Sequence, residues 1–251
     1  MNLDLFGKVA LVTGSSRGLG LAIARTLSTE GCRVILNARN PIRLTEALST
    51  ICNAHAIAGD VCIASEAERI INEVIELFGR LDIVICNVGS GRSVPPGTES
   101  PDEWNRVFTL NLWSTTNVVE AARESLAFSH GSIVCISSIC GLEVIPDAPV
   151  TYSAAKAALN SYVRGIARPL GKQGIRINAV ASGNLIFEDS AWSHRLKDSP
   201  SSVLAMLERD VALSRFGTVD EVSRLVAFMA SPCAAYATGG IWTIDGGQIR
   251  S

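Results

Sequence analysis

Short apolar runs that alternate with longer amphipathic ones constrain this chain more than any other feature. "KVALVTG" is followed by "LGLAIARTLSTEG", then by "RVILNAR", a helical stretch over 41–51 and a weaker strand around "AHAIAG". The order continues through "ASEAERIINEVIELFG", "LDIVICN", "PDEWNRVFTLNLWSTTNVVEAARESL", "GSIVCISS", "TYSAAKAALNSY", "GIRINAV", a helix near 218–230 and "IWTID". Strand, helix and strand repeated in this way predict an α/β chain whose parallel sheet is doubly wound, with helices on both faces. No linker rich in Pro, Gly or Ser divides it, so residues 1–251 read as a single domain. The rhythm breaks at roughly 184–214, where "NLIFEDSAWSHRLKDSPSS" is polar and aromatic. Ligands of doubly wound sheets bind beyond the carboxyl ends of the strands, so this stretch is read as a lid over the substrate.

Charge and end composition narrow the partners. A net charge of −2 and the lack of a basic run give no field for gripping a nucleic-acid backbone. "MNLDLFGKVALVTG" has no basic segment ahead of an apolar core, so neither a signal peptide nor a membrane span is expected, and the cytosol is the expected compartment. The cysteines are scattered, without a Cys-x-x-Cys pair, and read mostly as small core residues. His55, His130 and His194 lie far apart, and no metal site is expected.

The first chemical motif is "TGSSRGLG", residues 13–20, between the first strand and the first helix. Gly14, Gly18 and Gly20 allow a tight turn and close backbone approach, while the helix that follows aims free N–H groups at a pyrophosphate. At the end of the second strand, "VILNARN" offers Ala38 and Arg39 where an NAD-binding chain usually places a carboxylate. The planar donor fork of Arg39 suits a 2′-phosphate, and Arg17 is a second cation within the glycine loop, so NADP(H) is the expected cofactor. Asp60, in "AGDV", is an acceptor for the adenine side.

The second motif pairs Tyr152 with Lys156. Four residues apart on a helix, they lie about 40° from each other on one face, close enough to share a pocket. The pair alone also fits an amphipathic helix with a snorkelling lysine.

Taken together, "TGSSRGLG", "CNVG" at 86–89, the Tyr152-x-x-x-Lys156 pair and "TIDGG" at 243–247 resemble the short-chain dehydrogenase/reductase family, in its single-domain members with a Rossmann-type sheet. The resemblance implies a catalytic set of Asn111, Ser138, Tyr152 and Lys156. Ser138 is preferred over Ser137 because the family places a glycine three residues later, here Gly141. It implies that Tyr152 is the acid in carbonyl reduction and the base in alcohol oxidation, with its pKa lowered by Lys156. Ser138 would hydrogen-bond the substrate oxygen, Lys156 would also hold the nicotinamide ribose, and Asn111 would support a water relay. The cofactor contacts implied are Gly14, Ser16, Arg17, Gly18, Leu19, Gly20, Arg39, Asp60, Val61, Asn87, Gly89, Tyr152, Lys156, Gly183 and Leu185.

Several positions depart from the pattern. Cys86 and Val88 replace an asparagine and an alanine, "ASGN" at 181–184 replaces a proline–glycine pair, and Phe187 stands where a threonine commonly meets the nicotinamide carboxamide. The interval from Ser138 to Tyr152 is also longer than usual by one residue, which places "GLEVIPDAP" as an altered wall of the substrate pocket. The implied partner is a small carbonyl or alcohol substrate: an acyl thioester, a sugar or nucleotide-activated sugar, or another ketone. Arg92, Glu188, Asp189, Trp192, His194, Arg195 and Lys197 make the surroundings polar. The family also implies a homotetramer built on the helices over 101–125 and 151–173. A catalytically silent nucleotide-binding module and a nucleotide-sugar epimerase or dehydratase are the competing functions. Retention of the four catalytic positions disfavours the module, and the glycine spacing and missing carboxyl-terminal substrate domain disfavour the epimerase.

Overall fold

The computed structural model describes residues 2–250. Its first half comprises β1 (Val9–Thr13), α1 (Gly18–Thr29), β2 (Arg33–Ala38), α2 (Pro41–Leu48), β3 (Ala54–Ala58), α3 (Ala64–Phe78) and β4 (Ile83–Cys86). Next, α4 (Pro101–Phe108) runs through a π-helical turn (Thr109–Trp113) into α5 (Ser114–Ser129), followed by β5 (Ser132–Ser138), α6 (Val150–Gly171) and β6 (Arg176–Ser182). The remainder holds β7 (Leu185–Ile186), α7 (Ala191–Asp198), α8 (Pro200–Asp210), β8 (Gly217–Thr218), α9 (Val219–Ala230) and β9 (Ile241–Ile244).

Seven strands pair in parallel in the order β3-β2-β1-β4-β5-β6-β9. Alternate residues of each strand feed opposite apolar layers, as the two-residue period of a strand requires. Val9 and Leu11 of β1 pack with Ile70, Val74, Leu126 and Leu159 from α3, α5 and α6. Ala10 and Val12 pack with Ile23, Leu27 and Val226 from α1 and α9. The β1 and β2 ends are in register at Thr13 and Asn37, and those of β5 and β6 at Ser138 and Ser182. All strands therefore deliver their carboxyl ends, and the loops that follow, to one edge of the sheet.

Two stretches differ from their sequence reading. The helix expected over 101–125 exists, but it widens at Thr109–Trp113, and such π-helical turns concentrate at functional sites. The stretch expected to be irregular, 184–214, is mostly helical. Ser190 caps α7 by accepting the Ser193 N–H at 3.0 Å, and Pro200 opens α8. Val203, Leu207 and Val211, four residues apart, form a small core of their own with Trp192, Leu196, Met206 and Phe216. The cysteines also differ from expectation: Cys32, Cys86 and Cys135 are buried, Cys62 and Cys140 half-buried, and Cys52 and Cys233 exposed. Among the described residues, no helix is long and apolar enough to cross a membrane.

The fold is tightest where α6 meets the segment after β5. A Cβ on Gly141 would stand 2.6 Å from the Lys156 backbone carbon and 2.8 Å from its oxygen. The Asn160 amide donates to the Gly141 carbonyl at 3.0 Å, and the Ser137 hydroxyl donates to Asn160 Oδ1 at 2.6 Å. Because both sides of the Gly141 contact are backbone, Gly141→Ala is expected to lower stability by roughly 1–3 kcal/mol, as overpacking does. Denaturant titration at constant m-value measures the change, and an unaltered midpoint would show that the helix shifts freely.

Candidate active site

The nucleotide end is built from β1, α1 and β4. Gly14 and Gly18 adopt φ of +63° and +56°, a region that side chains rarely enter. A Cβ at Gly20 would collide with the Gly14 carbonyl and lie 2.5 Å from the Asn87 amide nitrogen. That nitrogen donates to the carbonyls of both Thr13 and Gly14 at 3.0 Å, and the Asn87 N–H donates to Thr13 Oγ1 at 3.0 Å. Asn87, expected as a cofactor contact, thus spends its carboxamide bracing the loop. Arg17 is the residue that caps α1 in sequence, but its side chain makes no cap, so the first N–H groups of the helix have no side-chain partner. This cradle fits a pyrophosphate: backbone donors, the positive end of a helix and room that only glycine leaves. Ser16 in the same loop and Leu19 in the first turn of α1 are half-buried. The ring of Phe187 lies over the loop, since a Cβ on Gly18 would be 2.7 Å from Cε2.

The adenine side is set by β2 and β3. Asn37 is buried and donates to the Ile57 carbonyl at 3.0 Å, tying the two strand ends together. Arg39 stands exposed just beyond, 3.5 Å from a carboxylate oxygen of Asp60, so the two residues expected on separate parts of the nucleotide also face each other. Asp60 accepts the Cys62 N–H at 3.0 Å, and the Val61 carbonyl accepts from Asn117 at 3.1 Å. Register between β1 and β2 brings the Arg17 and Arg39 loops out side by side.

Asn111, Ser138, Tyr152 and Lys156 come together from three elements, the π-helical turn, the end of β5 and α6. Asn111 sits in the π-helical turn, accepting the Ser90 N–H at 3.0 Å and donating to the carbonyls of Val107 and Ser90 at 3.0 and 3.2 Å. Its side chain therefore fixes the loop after β4. Gly89 fits between, because a Cβ there would be 2.8 Å from Asn111 Oδ1 and 3.2 Å from Lys156 Nζ. At the end of β5, Ser137 turns inward to Asn160, whereas Ser138 faces the Tyr152 phenol and accepts the Cys140 N–H at 3.2 Å. The strand's alternation sends the two neighbouring serines to opposite sides.

Electrostatics correct one expectation. Burial pushes the Tyr152 phenol up to about 12, against a lowering hydrogen bond from Ser138. The net shift is upward even with Lys156 close by, whose Nζ donates to the Ile136 carbonyl at 2.8 Å and stands 5.9 Å from the Tyr152 ring centroid. Burial in turn lowers Lys156 to about 8. At neutral pH the site thus holds a protonated phenol beside an ammonium. Cys140, half-buried next to both, has its thiol raised by burial. Sequence reasoning missed it, and its one signal was its place two residues beyond Ser138.

The base of the 184–214 segment is anchored by β7 pairing with β8 and by the close approach of Gly183 to Asp245, where a Cβ would be 2.8 Å from Cα. Leu185 lies in β7, half-buried. Of the polar lid residues, Arg195 lies over the Trp192 ring at 5.1 Å, and Trp192 faces Phe216 at 5.4 Å. Glu188, Asp189, His194 and Lys197 are exposed, as is Arg92 in the loop after β4.

Residues 14–248 match the family described as enoyl-(acyl carrier protein) reductase. A tropinone reductase homolog of Arabidopsis thaliana is 35% identical over 250 residues, covering 97% of this chain and 93% of that protein. A hydroxynaphthalene reductase of Aspergillus fumigatus is 32% identical, covering 94% and 90%. Among solved structures, L-sorbose reductase from Gluconobacter frateurii, complexed with NADPH and L-sorbose, superposes with a TM-score of 0.94 at 26% identity over 100% of both chains. An NADPH-bound short-chain oxidoreductase from Pseudomonas aeruginosa, containing an atypical catalytic center, gives 0.91 at 28% identity over 98% and 99%.

The lysine shift has a pH signature. Below pH 8 the folded and unfolded states both bind the proton; between about 8 and the unfolded value near 10.5 only the unfolded state does. Stability gained from this group therefore rises with pH across that window. The stability of the wild type relative to Lys156→Met should increase by roughly 1–3 kcal/mol between pH 7 and 10. Chemical denaturation across that range tests it, and a constant difference would mean that Lys156 titrates normally.

Proposed function

The chain belongs to the short-chain dehydrogenase/reductase family, and from that premise we propose that it is an NADP(H)-dependent oxidoreductase that interconverts a carbonyl and a secondary alcohol, with Tyr152 as general acid and base. The observation that carries this reading is the convergence of the protonated Tyr152 phenol, the Ser138 hydroxyl and the Lys156 ammonium at the carboxyl end of β5.

When bound, the nicotinamide supplies or accepts the hydride. Gly14, Ser16, Arg17, Gly18, Leu19 and Gly20 would hold the pyrophosphate, and Arg39 the 2′-phosphate. Asp60 and Val61 would face the adenine, while Gly89, Gly183 and Leu185 would border the nicotinamide half. In reduction, Tyr152 donates its proton to the substrate oxygen, and in oxidation the phenolate takes it back. The Ser138 hydroxyl donates a hydrogen bond to that oxygen as negative charge builds. Lys156, cationic below about pH 8, stabilises the phenolate left behind. NADPH in the solved relatives supports the cofactor, and the substrates named for them, a sugar among them, keep polyhydroxylated and cyclic ketones as the classes to try first.

Tyr152→Phe removes the transferable proton while keeping the ring. Turnover of a carbonyl panel should fall by roughly a hundredfold or more, with NADPH affinity within about twofold of wild type. Retained turnover would reject Tyr152 as the proton donor.

Cofactor choice is read from Arg39. A charge-assisted hydrogen bond contributes about 1.5–3 kcal/mol, so Arg39→Ala should raise the dissociation constant for NADPH by roughly ten- to a hundredfold and leave that for NADH nearly unchanged. Ala38→Asp should widen the effect, because a carboxylate repels the phosphate and accepts from the free ribose hydroxyls of NADH. Calorimetric titration of both nucleotides decides, and equal losses would make Arg39 a surface charge only.

A further inference from the structure

The loop between β4 and α4 is fixed at two points, and the outer one contains chemistry that the reaction does not use. Ser93 Oγ donates to Glu103 Oε1 at 2.6 Å and lies 2.6 Å from Thr151 Oγ1. The single Ser93 proton is directed to the carboxylate, so the Thr151 hydroxyl is the donor to Ser93. Glu103 also accepts the Val94 N–H and a two-pronged pair from Arg106, with both distances 2.7 Å. Arg106 reaches back to the Arg92 carbonyl at 2.9 Å. Hydrogen bonds from Arg106 first, and from Ser93 next, hold the Glu103 carboxyl at about 2, so it is ionised throughout the working range.

The two ends of this chain of bonds matter. Thr151 is fully buried and directly precedes Tyr152 in the first turn of α6. Gly91, midway between Ser93 and the inner anchor at Asn111, lies against the phenol ring: a Cβ there would be 3.7 Å from Tyr152 Cε1 and 3.8 Å from Cζ. The same carboxylate thus holds both the loop beside the Tyr152 ring and, through two hydroxyls, the residue next to Tyr152.

The geometry points to Glu103 as a positioning residue for the proton donor, acting through Ser93 and Thr151 to hold the 90–95 loop against Tyr152. The inference rests on the assignment of Tyr152 above, but its test does not require turnover. The pair lies at the rim of the fold, with the Arg106 side chain 50% exposed and Glu103 13%, and it ties down a surface loop, so loss of this carboxylate should loosen the loop without unfolding the chain.

Trypsin reports the loop directly, because the Arg92–Ser93 bond lies between its two anchors. In Glu103→Gln and in Ser93→Ala, cleavage after Arg92, read by mass spectrometry, should accelerate roughly ten- to a hundredfold, equivalent to losing one charge-assisted hydrogen bond. Ser93→Thr, which keeps the hydroxyl, should restore protection. In protein labelled with 13C at tyrosine Cζ, the resonance assigned through Tyr152→Phe should shift in Glu103→Gln and in Ser93→Ala and keep its wild-type position in Ser93→Thr. The melting temperature and the NADPH dissociation constant should stay near wild type. Unchanged protection at Arg92, or an unmoved Tyr152 resonance, overturns the proposal. Equal losses in melting temperature and protection overturn it as well, because they make Glu103 a general support of the fold. Failure of the oxidoreductase reading would appear instead as absent turnover or absent NADPH binding with the loop effect intact.

Discussion

Burying one ammonium organises the half of this protein that carries the proposed catalytic set. Lys156 is 4% exposed, and a charge so placed is tolerated only if a fixed dipole faces it. The Ile136 carbonyl is that dipole, and reaching it forces α6 down onto the end of β5. Gly141 permits the approach, while Asn160 and Ser137 hold it with two buried hydrogen bonds. Once α6 is seated there, Tyr152, one turn earlier, has no freedom to leave Ser138. The spacing of the proposed catalytic residues is therefore a result of helix packing and not of a local loop.

The nucleotide half rests on the complementary device, a loop with space in place of charge. Gly20 brings α1 against Gly14, and Asn87 closes the gap with two donated bonds. Because β4 follows β1 in the sheet, the residue that braces the glycine loop is two positions from Gly89, which sits between Asn111 and Lys156. The two halves are consequently one continuous edge of the sheet. A distortion at β4 would reach the cradle and the catalytic set together.

Most of this was legible in the sequence because it depends on period and on irreplaceable residue types. Alternating apolar runs yield the parallel sheet, and the tyrosine–lysine interval yields a shared helix face. What was not legible depends on competition between partners. Asn87 reads as a ligand contact, but nothing in the sequence shows that its amide nitrogen also braces the glycine loop. Arg39 and Asp60 read as separate contacts, yet the sheet order brings β2 and β3 together and makes them neighbours. The lid reads as irregular because its polar residues dominate, whereas Val203, Leu207 and Val211 carry a helical spacing that a weak apolar signal conceals. The π-helical turn at Thr109–Trp113 has no breaker residue to announce it. Asn111 is held there by Ser90, a contact that exists only after β4 and the helix have packed.

The corrected electrostatics also explain what kind of reaction the site favours. Burial shifts Tyr152 and Lys156 in opposite directions, each toward its neutral form. Lys156 forms no salt bridge among the described residues, and the thiol of Cys140 nearby is raised and hence uncharged at neutral pH. A negative charge formed on the phenol or on a substrate oxygen would meet an ammonium that no carboxylate has already neutralised. In a site of low polarity that attraction is far stronger than in water. The free protein thus holds its proton on Tyr152 firmly, because burial of the phenol outweighs the attraction that Lys156 offers a phenolate. In the reaction proposed above, that attraction would act on the charge that develops during proton transfer.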